Sequence, residues 1–428
     1  MEARLKDNFK FRLYPIWISE ITRTASSSLI GIAITTYLEY EGIVTESVNG
    51  LITAIYSMGF LIFVAAFRNI IGNVERKKVL SLVSIVIFAC SFGYFLPLTN
   101  VPSLILFCCF RFMDGAATGI FWATIQSYAK YFAEICPEMR NSYTSKYNFS
   151  FTFGIIVGQV VGWILAFFFD SLLVLVQFNL VFVFVQFIFM VFILEKLPDM
   201  NNLGRNADCI NTEKEPSVRA LNSQEKRTIT LLPVILVFLA LLTHSLSDGA
   251  FKIFLPVKSN FLGYPKYVTY IIFFEKYLMQ SITITAGAKV PEKAIIPTLV
   301  IMPAVIGAGW LIIGFNAGFL AISLGIMLLG TVQGLLYSSG MRFLTNISHS
   351  RNNPKIFTWY QMVMGGGRMT GTLFLGFLLE IGLEASFFTV FSFDMLIFGT
   401  LLVTWIKRKK TRIKIEEKED RSMNNIPI

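Results

Sequence analysis

About twelve stretches of roughly 20 predominantly apolar residues follow one another along the chain, and that is the length needed to cross a bilayer. They cover about 13–38, 48–71, 79–98, 102–132, 145–194 (two runs, broken near Asp170), 229–257, 267–288, 294–315, 318–344, 356–379 and 385–406. Inside lipid every backbone N–H and C=O must be satisfied within the protein, so only helices and closed barrels span it. A barrel would show polar–apolar alternation in segments of about ten residues, and these runs do not alternate. The fold class is therefore an all-α polytopic membrane protein. Composition agrees. The chain is 54% hydrophobic and 15% charged, with 42 Phe, whereas soluble domains carry about 25% charged residues.

Loop charges set the expected orientation. With the N-terminus inside, the cytoplasmic loops carry Arg76, Lys77, Lys78, Arg140, Lys289, Lys293, Arg351 and Lys355, and the chain ends beyond Lys407-Arg408-Lys409-Lys410. The opposite loops carry Glu39, Glu41, Glu46, Asp170, Glu380 and Glu384, with Lys258 and Lys266 as exceptions. The positive-inside rule then places both termini in the cytoplasm of a multi-pass protein of the cell membrane. The basic tail suits anionic headgroups of the lipid bilayer. A net charge of +10 spread over loops in this way is no nucleic-acid footprint. The five Cys lack metal-ligand spacing and a disulfide framework, and read as small packing residues. The opening MEARLKDNFKFR is too polar for a cleaved signal, so the first span is expected to direct insertion.

The chain repeats itself at about half its length. GAATGIFW from Gly115 aligns with GTVQGLLY from Gly330, Arg140-Asn141 with Arg351-Asn352, and YNFSFTFGIIVG from Tyr147 with YQMVMGGGRMTG from Tyr360. A slightly longer offset sets Gly42 against Gly263. Two six-helix repeats follow. The expected organisation is a first half at 1–195, a polar cytoplasmic linker at 196–228, a second half at 229–406 and a charged cytoplasmic tail at 407–428. Small residues four apart allow close helix contact, which marks Gly115, Gly119, Gly154, Gly158, Gly162, Gly367 and Gly371 as helix-packing positions.

Two local patterns resemble the major facilitator superfamily of secondary transporters. Arg111, Asp114, Gly115, Ala116 and Ala117 are similar to its fourth-helix Arg–polar–Gly pattern. Gly154, Gly158 and Gly162 are similar to its Gly-rich fifth helix, although Gln159 stands where the drug–proton antiporters of the family carry Pro. Between the second and third spans, Arg76, Lys77 and Lys78 keep the basic cluster of the family's loop motif, while its Asp is missing near Gly72. The resemblance implies alternating access by two rocking halves, with the solute site between them near the membrane midplane.

Charges well inside spans are functional candidates because burying them in lipid is costly. Arg111 lies about nine residues into its span, or ~13 Å at ~1.5 Å per residue, close to the middle of a core ~30 Å thick. Asp114 stands three residues on, where the two can pair, and a carboxylate released by its Arg can take a proton. The pair is expected to be peculiar to the first half, because nothing beside Gly330 matches it. Glu20 and Arg23 are also three apart and read as a second pair. His244, Asp248 and Lys252 recur every four residues as a polar stripe, with an Asp248–Lys252 pair expected. Arg368 follows a Gly run deep in its span and is the best second-half cation for an anionic solute or for a carboxylate of the other half. Glu275, Lys276, Arg342 and Asp394 read as single charges. Trp122 and Tyr337, equivalent in the repeat, read as cavity aromatics.

No P-loop, hydrolase elbow or metal cluster occurs, so neither an enzyme nor a bound cofactor is expected. The expected function is secondary active transport of a small solute, coupled to protons, with export among the directions. The alternative is a transporter-like sensor or scaffold, a reading that the missing loop Asp allows.

Overall fold

The structure is a computed structural model. It describes residues 2–67, 75–96, 101–135, 137–195, 234–287, 289–351 and 355–424. The 196–228 linker, Cys136, Cys209 and Asn352 lie outside these residues, as do the side chains of Tyr128, Arg140, Asn141 and Arg351.

Twelve α-helices are described, and ten are long and apolar enough to cross a membrane. The first half comprises α1 (Glu2–Tyr40), α2 (Glu46–Phe67), α3 (Arg76–Phe92), α4 (Val101–Ile135), α5 (Pro137–Phe168) and α6 (Leu173–Ile188). The second comprises α7 (Val234–Phe261), α8 (Lys266–Gly287), α9 (Glu292–Phe315), α10 (Phe319–Arg351), α11 (Lys355–Ile381) and α12 (Leu383–Asn424). The two that fall short in apolarity, α1 and α8, carry the buried Glu20 and Arg23 and the buried Lys276. The two terminal helices, α1 and α12, outrun their expected ends. The polar N-terminal residues continue α1, and the basic tail continues α12.

The repeat is visible in the backbone. Gly42 and Gly263, at φ 58 and 68, close α1 and α7 in the left-handed conformation that glycine tolerates. The Gly42 N–H donates to Glu39 O and Ile43 N–H to Leu38 O; Gly263 and Tyr264 do the same to Asn260 O and Ser259 O. That is one Schellman cap used twice.

Within each half the glycines seat neighbouring helices. A Cβ at Gly115 would strike the Tyr56 backbone, and one at Gly119 the Phe60 carbonyl, so α4 lies directly on α2. Gly330 and Gly334 set α10 on α8 in the same way, against Lys276 and Gln280. Gly154 and Gly158 meet the Ile21 and Ala25 carbonyls of α1, while Gly371 meets Leu246 O and Gly367 the Ser245 side chain of α7. Gly162 differs from its ladder: it faces Tyr270 of α8, across the boundary between halves.

The halves meet through α2 with α11, α5 with α8, and α1 with α7. The contact is tightest at the end of the bundle far from the termini. There Gly50 sits against the backbone of Thr372 and Gly376. Tyr40 donates to Tyr264 O at 3.0 Å, Asn260 to Glu39 at 3.0 Å, and Lys266 pairs with Glu41 at 3.0 Å. The two lysines that broke the loop-charge trend are thus engaged, since Lys258 donates to Gly314 O at 2.9 Å. The buried core follows suit. One apolar cluster runs from Leu29, Ala33 and Leu38 into Phe251, Leu255 and Tyr270 of the second half. Nearer the termini, Ile16, Leu80, Phe121, Trp122 and Ile125 form a separate cluster within the first half. Outside, Phe168, Leu320 and Ile381 are each more than two-thirds exposed, an apolar surface suited to lipid.

Candidate functional site

The Asp114 carboxylate is the hub of the first half. One oxygen lies 2.5 Å from an Arg23 terminal nitrogen, brought by α1. The other accepts from the Tyr94 hydroxyl at 2.6 Å, brought by the short 3₁₀ turn after α3. Arg111 stands 3.8 Å from that second oxygen, donates to the Tyr94 hydroxyl at 3.1 Å and lies over the Tyr56 ring at 4.6 Å. Arg23 also donates to Thr118 and, at 3.4 Å, to Tyr56. A buried ion must be paired and hydrogen-bonded to be tolerated, and this network pairs one carboxylate with two cations.

The expected Glu20–Arg23 pair does not form. Arg23 turns to α4, and both Glu20 oxygens are buried without a hydrogen-bond partner among the described residues. Spacing along one helix says which side chains could meet. It does not say which partner a neighbouring helix offers.

The second half builds its own hub around Asp248. Lys276 of α8 lies 2.5 Å from one oxygen, to which the Tyr277 hydroxyl donates at 3.3 Å. Arg368 Nε stands 3.3 Å and Lys252 Nζ 4.0 Å from the other oxygen. The expected Asp248–Lys252 contact is therefore present but is the longest of three. Lys276 is no single charge: it is fully buried, bound to Asp248 and set against the Tyr277 ring at 4.5 Å. Arg368 serves the carboxylate of its own half. Its position depends on Gly249, where a Cβ would strike the Arg368 backbone. A lone Gly beside Asp248 was the available signal for that contact. The carboxylate–cation motif is consequently not peculiar to the first half, although Asp114 and Asp248 sit on non-equivalent helices.

The two hubs face one another. Lys252 lies within electrostatic reach of Arg111, and Arg368 within reach of Tyr56, across the boundary. Toward the termini lies an aromatic belt. Trp122 meets Tyr147 edge-on at 6.2 Å, and Tyr337 meets Tyr360 edge-on at 6.2 Å, an equivalence the repeat anticipates. Trp122 is buried against Phe121 and Phe151 in the first-half core, whereas Tyr337 is partly exposed. His244 lies 6.1 Å from the Tyr337 ring, and its Nδ1 is buried without a hydrogen-bond partner among the described residues. Glu20 belongs to this level, within electrostatic reach of Tyr147.

The remaining charges are dispersed. Glu275 accepts from Ser323, and Arg342 donates to Val290 O. Asp394 is buried in α12 near Gly307 of α9, away from both hubs. Among the described residues, no group of three His, Cys, Asp or Glu side chains could hold a metal ion.

The sequence matches the family model of the Major Facilitator Superfamily over residues 16–290, and the chain belongs to that family of multi-pass membrane transporters. No curated protein matches the chain. Among solved structures it resembles the nucleoside transporter NupG, with TM-score 0.65 and 12% identity, covering 91% of this chain and 99% of that one. It also resembles a POT family transporter in complex with 5-aminolevulinic acid, with TM-score 0.65 and 13% identity, covering 92% and 96%. At such identities the likeness speaks for the fold.

Proposed function

We propose that the protein carries a small solute across the cell membrane by alternating access, coupled to protons, with both termini in the cytoplasm. The observation that carries the reading is the pair of buried carboxylate–cation hubs, one in each half, facing each other across the boundary. Rocking the halves changes what each hub meets. A carboxylate that loses its cation must find another cation or a proton, because an unpaired buried charge costs several kcal/mol. Asp114, with Arg23 and Arg111, and Asp248, with Lys252, Lys276 and Arg368, are the coupling groups in this reading. Glu20 and His244, buried without hydrogen-bond partners at Glu20 Oε1 and Oε2 and at His244 Nδ1, are further proton acceptors. Tyr337 lines the path and Trp122 braces it. The far-end contacts correspond to a form closed toward the outside, and import and export both use the same cycle.

The test is transport in proteoliposomes over a panel of labelled solutes. Asp114→Asn is expected to abolish uphill accumulation under an imposed pH gradient while solute counterflow persists. Accumulation equal to that of the unaltered protein would remove Asp114 from coupling. An absence of flux for every solute would favour a sensor.

A further inference from the structure

The hubs hold more positive charge than they neutralise. Asp114 meets Arg23 and Arg111, and Asp248 meets Lys252, Lys276 and Arg368. Five cations share two carboxylates. Arg23 and Lys276 are held by 2.5 Å contacts and are almost completely buried. The other three keep longer contacts, at 3.8 Å for Arg111, 3.3 Å for Arg368 and 4.0 Å for Lys252.

Exposure divides them further. The Arg368 side chain is 37% and the Lys252 side chain 23% exposed, against 5% or less for Asp248 and Arg111. Among the described residues the Arg368 Nε–H makes no hydrogen bond, so its 3.3 Å contact with Asp248 is an ion pair without the Nε-based bidentate fork that carboxylates and phosphates favour. Lys252 lies within electrostatic reach of Arg111 across the boundary. Like charges within reach of each other in a low-dielectric interior are unfavourable, and an anion bound near both relieves the penalty. Glu20, the remaining carboxylate nearby, forms no ion pair with these cations among the described residues and lies a turn toward the termini beside Tyr147. Next to the charged level, Tyr337 and Tyr147 are partly exposed, an amphipathic wall for the body of an organic molecule.

We infer that the transported solute is an organic anion whose carboxylate or phosphate group binds between Arg368, Lys252 and Arg111, its body lying toward Tyr337 and Tyr147. The inference rests on the transporter reading for movement of the solute but not for its binding.

Binding is measured as thermal stabilisation of the purified full chain by malate, citrate and glycerol 3-phosphate, with glycerol and choline as uncharged and cationic comparisons. At least one anion should raise the unfolding temperature in a saturable, salt-sensitive manner, and glycerol and choline should not. A response to malate or citrate alone assigns a carboxylate, and one to glycerol 3-phosphate alone assigns a phosphate. Arg368→Gln should weaken that anion by about tenfold or more, and Lys252→Gln should weaken it less. Arg368→Lys, which keeps the charge but loses the fork, should fall between them and serves if the Gln variant does not fold. Stabilisation by glycerol or choline alone, no response to any anion, or anion affinity unchanged in the Arg368 and Lys252 variants would each overturn the inference. Counterflow of choline or glycerol with no anion response would leave the transporter reading standing and the anion site refuted. Arg368-dependent anion binding without flux would do the reverse.

Discussion

Arg23 and Arg111 approach the same carboxylate, but unequally. Arg23 holds Asp114 at 2.5 Å and ties it to Thr118 and Tyr56, while Arg111 stands 3.8 Å away and rests on tyrosine rings. Breaking a buried pair by removing one partner typically costs about 3–5 kcal/mol. Arg23→Gln is therefore expected to lower the unfolding temperature in detergent far more than Arg111→Gln. Equal losses would mean that Arg111 carries as much of the pairing as Arg23. The sequence made Asp114 and Arg111 conspicuous because they share a helix at a pairing distance. It left Arg23 beside the wrong partner, since the Arg23–Asp114 contact joins residues 91 positions apart. Lys276 read as a single charge for the same reason. Its carboxylate comes from α7, and no spacing within α8 points there.

At the scale of helices, glycine decides which pairs can touch. The ladders at Gly115–Gly119 and Gly154–Gly158 were legible because small residues four apart make a flat strip on one helix face. Their partners were not legible, nor were the isolated Gly59 and Gly249, which seat α2 on α4 and α7 on α11 without a repeat to announce them. A methyl group at Gly115 would fall on the Tyr56 carbonyl, whereas one at Gly399 would meet open space. Overpacking of a tight contact costs about 1–3 kcal/mol. Gly115→Ala should lower the unfolding temperature by several degrees, displacing Tyr56 and with it the Arg111 stack, while Gly399→Ala should leave it unchanged. Matching behaviour of the two variants would contradict the close α2–α4 seating.

For the whole molecule, the count of apolar runs and the internal repeat were enough to read twelve helices in two halves, because both depend on pattern rather than on partners. The two helices without a stretch apolar enough to cross a membrane by itself, α1 and α8, turn out to carry hub residues. What the sequence withheld was the state of closure, which depends on contacts between halves. The far ends are joined through Lys266 and Glu41, Asn260 and Glu39, and the Gly50–Gly376 crossing. Alternating access requires these contacts to open as the ends near the termini approach. The direct test is electron–electron distance measurement on spin-labelled protein in liposomes. One label pair sits at Thr45 and Gly318 on the far end, the other at Lys146 and Lys289 near the termini. Alternating access predicts two populations related reciprocally, the Thr45–Gly318 distance lengthening where Lys146–Lys289 shortens, with solute or pH shifting the balance. A single unchanged distance at both pairs, in vesicles that carry out counterflow, would contradict it.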